Sequence, residues 1–386
     1  MKLNRVDVDL GPRSYPVLIG NGVISELGEI VREQGLKQTA AFVLTNSQVG
    51  GKHFAKVRRA LEKVAFTRVV RHNIPSVESG KSWKNLEKTC KKLLQEFPDT
   101  GSVPLIFLLG GGVVGDLGGF AAGIFRRGVA FVQLPTSLLA AVDSSVGGKV
   151  AVNFSGVKNI LGIFNQPRLV VCDLALLQTL DERQLRSGAS EVIKYGAVCR
   201  GSLFEELEAG GLRKLMARDP HTLADVVHQS VEIKARVVEQ DEFDKKGIRN
   251  VLNFGHTIGH GLELSAYNPD ANASEAPTHG EAIAMGMVAA THLAIKLGMV
   301  DETFDRRLRG LLAVAGLPAT MREFRAQQAG TDYPDLHNRI IRAMQMDKKF
   351  RDGKNVFVLP TGIGSWRQVE NVDWGLVNEA VRVVLE

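Results

Sequence analysis

VPLIFLLGGGVVGDLGGFAAGIF, residues 103–125, is the most apolar stretch of the chain, and whether it is a membrane helix or a strand followed by a glycine loop separates two very different folds. It is long enough to cross a bilayer as a helix. However, Asp116 stands near its middle and seven glycines interrupt it. A central aspartate costs roughly 2.5–3.5 kcal/mol on insertion scales, so a membrane helix is a poor reading. PLIFLLG (104–110) is instead a short continuous apolar run, the pattern of a strand buried on both faces. In GGGVVGD (110–116), Gly110, Gly112 and Gly115 then fit G-x-G-x-x-G between a strand and a helix. Glycines there let the backbone approach a pyrophosphate whose charge faces the helix N-terminus. The pattern alone is weak, because glycine-rich structural turns are common; the strand-then-helix context is what favours a nucleotide. The strand is a later one of its sheet and Asp116 lies inside the loop, so a standard dinucleotide fingerprint is not expected.

On either side of it, AAFVLT (40–45), TRVVRH (67–72), VAFVQLP (129–135) and RLVVCD (168–173) read as further strands. WKNLEKTCKKLLQEF (83–97) has helical spacing, with Leu86, Cys90, Leu93 and Leu94 on one side. Strands alternating with helices predict a parallel, doubly wound sheet. From about residue 181 the texture changes to helices of fifteen to twenty residues, with strand-like runs nearly absent until NVFVLP (355–360). The expected division is an α/β domain over 1–180 and a mostly α-helical domain over 181–386.

The 386 residues are 44% hydrophobic and 23% charged, ordinary for a globular protein. The net charge of +6 comes without a long Lys/Arg run or aromatic–basic interleaving, so an anionic small molecule is a better partner than nucleic acid. Cys90, Cys172 and Cys199 are odd in number and scattered, as in a reducing compartment, and the expected location is the cytoplasm. The N-terminus MKLNRVDVDLGPRSYP has no apolar core of a signal peptide.

Metal-ligand types occur in three places. FGHTIGHGLE (254–263) carries His256 and His260 four apart, on one face of a helix. Glu191 lies in SGASEVIK with Lys194 one turn on, and His279 opens a helix in PTHGEAIAMG, where Pro277 and Thr278 give a start signal. Two histidines and a carboxylate with an open position suit a catalytic zinc, but spacing does not say which two histidines bind. His53, His72, His221, His228, His292 and His337 read as packing or surface residues. DSSVGGKVAVNFSGVKN (143–159) gathers Asp143, Lys149, Asn153, Lys158 and Asn159 around glycines. It is either a solvated loop or a site for a polyhydroxylated anion, with Arg127, Lys194, Lys234, Arg249 and the Lys348-Lys349 pair as cations that could join it.

Taken together, GGGVVGDLGGFAA, RRGVAFVQLPTSLLAAVDSSVGGK, SEVIKYGA and RNVLNFGHTIGHGLE resemble the 3-dehydroquinate synthase family of sugar-phosphate cyclases. The resemblance runs from YPVLIGNGV (15–23) to DKKFRDGKNVFVLP (347–360). It implies a Rossmann-like domain, a helical domain and an active site in the cleft between them. The implied activity converts 3-deoxy-D-arabino-heptulosonate 7-phosphate to 3-dehydroquinate and phosphate, a step of the shikimate pathway to aromatic amino acids. NAD-assisted oxidation, phosphate elimination, reduction and intramolecular aldol closure would follow one another, with NAD regenerated each turnover.

By matching motif, the resemblance makes Glu191, His256 and His279 the ligands of a divalent metal, zinc foremost and cobalt as the substitute. It gives His260, Asp244 and Lys149 catalytic positions. Arg127, Asp143, Lys149, Asn159, Lys194, Lys234, Arg249, Asn253 and Lys348 fall on substrate positions. Asn46, Glu78, Lys81, Gly111, Gly112, Asp116, Thr136, Ser137, Lys158 and Thr179 fall on NAD positions. Read from residues alone, Glu78 and Lys81 are surface charges. A homodimer acting on a phosphorylated sugar acid, away from membranes and nucleic acid, is the implied assembly.

The chain departs from the family at DEFDKKGIR (241–249), one residue longer with Asp244 where a glutamate is usual, at Val157 where a glycine is common, and at Ser190 where alanine is common. Its rivals are a cyclase of sedoheptulose 7-phosphate or another sugar phosphate, a metal-dependent polyol dehydrogenase and a non-enzymatic basic binding module. The crowded cations argue against the dehydrogenase, and the metal-ligand types against the binding module.

Overall fold

The computed structural model describes residues 3–64, 66–99, 101, 103–266, 276–327, 333–345 and 354–386. Its strands are β1 (Asn4–Val8), β2 (Tyr15–Gly20), β3 (Ala40–Thr45), β4 (Arg68–Asn73), β5 (Leu105–Gly110), β6 (Phe131–Pro135), β7 (Lys149–Phe154), β8 (Val157–Phe164), β9 (Leu169–Asp173), β10 (Val356–Gly362) and β11 (Ser365–Glu370). Seven of them form one sheet in the order β1-β2-β9-β6-β5-β3-β4. Only β1 pairs antiparallel in it.

The continuous apolar runs have a simple cause. In β5, Leu105, Phe107 and Leu109 enter one core while Ile106 and Leu108 enter the other. In β3, Ala41 and Val43 face the first core, and Ala40, Phe42 and Leu44 the second. The first core is closed by Leu27 and Val31 of the helix Leu27–Glu33 and by Val57 and Leu61 of Ser47–Glu62. Leu86 and Leu93 of Trp83–Glu96, with Leu117 and Ala121 of Gly112–Ile124, close the second. With helices on both faces, no residue of these strands is left for water, so the period of two disappears from the sequence. Each fully buried leucine or phenylalanine is worth about 1.5–3 kcal/mol.

Several expectations change. Leu94 is 56% exposed; the buried stripe of its helix is Leu86, Thr89 and Leu93, and Leu94 falls past its edge. The polar segment 143–159 is not mainly a loop. Its second half is the hairpin β7–β8, a separate two-stranded ribbon. Ser155 and Gly156 form its two-residue turn with φ of 49° and 79°, the left-handed pair that suits a right-twisted hairpin. Val157 is therefore a strand residue opposite Phe154. Strands β1, β2 and β11 carried no sequence expectation.

The chain forms two compact units: Met1–Asp181 with Leu223–Phe243, and Glu182–Thr222 with Asp244–Glu386. Most of the helix Pro220–Gln240 thus belongs with the sheet unit. The second unit is built on the helices Glu182–Val198, His256–Ala266 and His279–Lys296, with the β10–β11 ribbon. Among the described residues, no helix is long and apolar enough to cross a membrane.

Candidate functional site

In the second unit, close helix packing decides which side chains meet. A Cβ at Gly280 would lie 2.1 Å from the Ser187 carbonyl oxygen, and one at Gly286 would lie 2.0 Å from that of Gly255. Only glycine permits such approach, because no ordinary Cβ contact is that short. Ser187 Oγ also accepts from the Gly280 backbone N–H at 3.0 Å. Glu191 lies one turn beyond Ser187, so this contact carries it to His279. Gly255, left-handed at φ 78°, turns the chain so that the next helix begins on His256. His279 is the first residue of its helix, behind a Thr278–Glu281 capping box whose Glu281 is gripped twice by Arg183 at 2.8 Å.

The result is a donor cluster. Glu191 Oε1 lies 3.6 Å from His256 Nε2 and 3.4 Å from His279 Nε2, and the three donor atoms lie within 4.8 Å of one another. Tetrahedral zinc ligands at 2.0–2.2 Å from the metal are about 3.3–3.6 Å apart, so the spacing of these donors fits a cation between them. The other carboxylate oxygen of Glu191 pairs with Lys194, both side chains being buried, and Lys194 Nζ also donates to the Leu252 carbonyl at 2.8 Å. The His256 Nδ1 is 3.1 Å from the Phe254 carbonyl; donating there, it presents Nε2 to Glu191.

His279 shows what the site prefers. Burial works against its charged form, but hydrogen bonding and charge from Glu191 and Glu263 more than offset that, raising its pKa to about 10. The pocket thus holds a positive charge at neutral pH, as a proton when no metal competes for the ring. His260 is excluded from the tight triad with Glu191, although its ring centroid lies 5.0 Å from that of His256 and 6.0 Å from that of His279. His256 and His260 share a helix face, yet the donor group with Glu191 contains only the first. Arg249 is buried in the turn Ile248–Asn253, where Asn253 also lies, and Asp244 takes a left-handed φ of 53° in the segment before it. Lys348 lies outside the described residues.

In the sheet unit several of the candidate nucleotide positions follow strands near the point where strand order reverses. From β3 the chain goes outward to β4 and then returns to β5 on the other side of β3. Crevices beyond the carboxyl ends of strands at such a switch favour ligands. Asn46 follows β3, Gly111 and Gly112 follow β5, and Thr136 and Ser137 follow β6. Gly111 is the N-cap of the helix Gly112–Ile124 without a side-chain cap, so the first amides of that helix remain for an anion. Gly110, Gly112 and Gly115 are not the most crowded glycines of the stretch. At Gly118 a Cβ would lie 2.2 Å from Leu108 Cδ2. Asn46 caps its own helix by accepting from Val49 N at 2.9 Å, and Thr179 Oγ1 meets His53 Nε2 at 3.0 Å.

Lys81 and Glu78 are not a pair of surface charges. Lys81 is 4% exposed and its ammonium pairs with Asp116. Burial raises the Asp116 pKa, with Lys81 opposing. Glu78 Oε1 accepts from Asn153 Nδ2 at 2.8 Å, which ties the loop to the β7–β8 hairpin that carries Lys149, Lys158 and Asn159. Lys234 Nζ donates to Asp143 twice, at 2.7 Å to Oδ1 and 2.8 Å to its carbonyl. Arg127 is exposed at the end of the helix Gly112–Ile124, with φ of 64°.

The sequence reading missed Glu263. Its Oε2 lies 3.5 Å from His279 Nδ1, and it forms with His260 and His279 a second donor group within 4.8 Å. Its signal was present: Glu263 is seven residues from His256 and three from His260, on the same helix face.

The chain matches the family models described as 3-dehydroquinate synthase N-terminal, over residues 71–187, and 3-dehydroquinate synthase C-terminal, over residues 188–350. A 3-dehydroquinate synthase of Thermoanaerobacter sp. (strain X514) is 41% identical over 363 residues, covering 93% of this chain and 94% of that protein. One from Geobacter sp. (strain M21) is 40% identical over 380 residues, 98% of each. A solved structure of 2-epi-5-epi-valiolone synthase from Streptomyces hygroscopicus subsp. jinggangensis 5008, with NAD+ and Zn2+ bound, is similar with a TM-score of 0.80 at 25% identity over 96% of each chain.

Proposed function

The chain belongs to the 3-dehydroquinate synthase family, and from that membership we propose that it converts 3-deoxy-D-arabino-heptulosonate 7-phosphate to 3-dehydroquinate and phosphate, using NAD and a divalent metal, zinc by preference. The observation that carries this reading is identity of about two residues in five along almost the whole length of named 3-dehydroquinate synthases. The structural relative with NAD+ and Zn2+ supports the cofactor choice, as does the spacing of the Glu191, His256 and His279 donors.

Glu191, His256 and His279 hold the metal in this reading. When bound, the metal supplies Lewis-acid polarisation of a substrate hydroxyl, and NAD supplies a reversible hydride acceptor. Lys194 and Arg249, both buried cations, bind anionic or hydroxyl groups of the substrate beside Asn253. Lys194 also holds the Glu191 carboxylate in place through their pair. His260 moves a proton at its imidazole nitrogen without occupying a coordination position, with Asp244 and Lys149 as the further proton-transfer groups. Asp143 and Lys234, already paired, present a carboxylate and an ammonium to substrate hydroxyls and charges. Asn159, Arg127 and Lys348 complete the substrate set. Asn46, Glu78, Lys81, Gly111, Gly112, Asp116, Thr136, Ser137, Lys158 and Thr179 bind NAD, the pyrophosphate resting on the amides after Gly111. A cytoplasmic homodimer accompanies this reading, and sedimentation velocity tests the dimer.

The deciding assay mixes purified protein with catalytic NAD, zinc and the heptulosonate phosphate, and follows phosphate and 3-dehydroquinate. Both products should form with no net NADH. Turnover of sedoheptulose 7-phosphate in place of this substrate would overturn the assignment, and NADH build-up would point to a dehydrogenase.

A further inference from the structure

The two histidines of the donor cluster are each approached at Nδ1 by an acceptor, and the two acceptors differ. For His256 the acceptor is the Phe254 backbone carbonyl at 3.1 Å, a neutral group fixed by the chain itself. For His279 it is the Glu263 carboxylate at 3.5 Å, delivered by a side chain of the neighbouring helix. We infer that Glu263 is a positioning residue for the metal site, fixing through Nδ1 the ring orientation and tautomer with which His279 offers Nε2. This rests on the reading of Glu191, His256 and His279 as the metal ligands.

The chemistry explains why Glu263 serves better as an orienter than as a ligand. A neutral imidazole has one lone pair, and the other nitrogen carries a proton. The His279 Nε2 faces Glu191 at 3.4 Å, so its lone pair belongs to the Glu191–His256 side. Its Nδ1 then carries the proton, and a carboxylate is the acceptor that both holds that proton and raises the basicity of the far nitrogen. The alternative group of His260, Glu263 and His279 would need the same ring to bind through Nδ1 as well, which requires an imidazolate. Glu263 also offsets the charge that a divalent ion would bring next to Lys194.

The test measures zinc affinity by chelator competition and the visible spectrum of the cobalt-substituted protein, in the full chain and in Glu263→Leu, Glu263→Gln and His256→Ala. Glu263→Leu should weaken zinc about 10–100-fold, the range for loss of such outer partners, and should shift the cobalt absorption. Glu263→Gln should fall between, because its amide oxygen can still accept from Nδ1 but without charge. Being isosteric, it carries the test if the leucine variant does not fold. Unchanged zinc affinity and an unchanged cobalt spectrum in a folded Glu263 variant would overturn the inference. So would two zinc ions per parent chain with one lost in Glu263→Leu, since Glu263 would then be a ligand. Failure of the underlying reading looks different: His256→Ala would keep its zinc.

Discussion

Two glycine-rich segments, GGGVVGDLGG (110–119) and GHTIGHG (255–261), resemble one another in composition but solve different packing problems. In the first, a helix settles on a sheet, and the atoms nearest a Cβ at Gly118 and Gly119 are outer side-chain carbons of Leu108 and Val150, at 2.2 and 2.5 Å. In the second, helix meets helix, and Gly255 faces the backbone nitrogen of Met287 at 2.7 Å while Gly259 faces the Ala282 carbonyl at 2.9 Å. A leucine end can rotate away from an intruding methyl. A backbone can yield only by moving the helix, and here the helices carry His256 and His279. Glycine density therefore marks close approach in both places, but only in the second does the approach set distances between candidate ligands.

The largest effect is expected from separating the two histidines. His256→Ala should lose zinc by elemental analysis and lose activity with it. His260→Ala should keep most of its zinc and lose about 10²–10⁴-fold in rate, the usual range for a general acid or base. Equal metal loss in the two variants would remove the division of labour between them.

A second test uses pH. With the metal-free His279 pKa raised to about 10, metal must displace a proton from the ring, so apparent affinity should fall about tenfold per unit as pH drops below that value. Buffered-chelator titrations between pH 6 and 9 check the slope, these pH limits being roughly those over which the protein is expected to stay folded. The sign for stability is opposite. A raised histidine pKa stabilises the metal-free fold fully below its unfolded value near 6.5, and that contribution is lost as pH rises through about 10. Urea melts in chelator should show the loss, and zinc-loaded protein should not.

The glycines supply a third test. Gly286→Ala, forced against a backbone oxygen, should cost about 1–3 kcal/mol or more and weaken zinc, whereas Gly118→Ala, opposed by a movable leucine end, should cost less and leave zinc affinity unchanged. Equal effects on zinc would mean that packing and ligand geometry are not coupled as described. The smallest effect is expected at Thr278, whose hydroxyl caps the helix that His279 opens. Thr278→Ala should cost about 0.5–2 kcal/mol in a thermal or urea melt.

Much of the sheet was legible because burial on both faces leaves an unambiguous mark, and AAFVLT coincides with β3 residue for residue. β2, YPVLIG, is equally buried but had no such reading, since a short apolar run beginning Tyr-Pro does not declare its partner. Leu94 reads as part of the stripe because it lies only about 40° around the helix from Cys90, but the edge of a stripe is set by what packs against it. Read from its neighbours alone, Lys81 is a surface charge, because the partner that accompanies its burial, Asp116, lies 35 residues away. Glu263 shares a helix face with both histidines, but its role toward His279 shows only across two helices.

Local pattern was sufficient for the alternation of strands and helices, the glycine loop after β5, and the residue types that can bind a metal, because each depends on neighbours within a turn or a strand. Spacing could say that His256 and His260 share a face, since one helix sets that distance. It could not say which of them joins Glu191 and His279. Those donors stand on three helices, and their separation is set by backbone contacts at Gly255, Gly280 and Gly286 that exist only once the helices have packed.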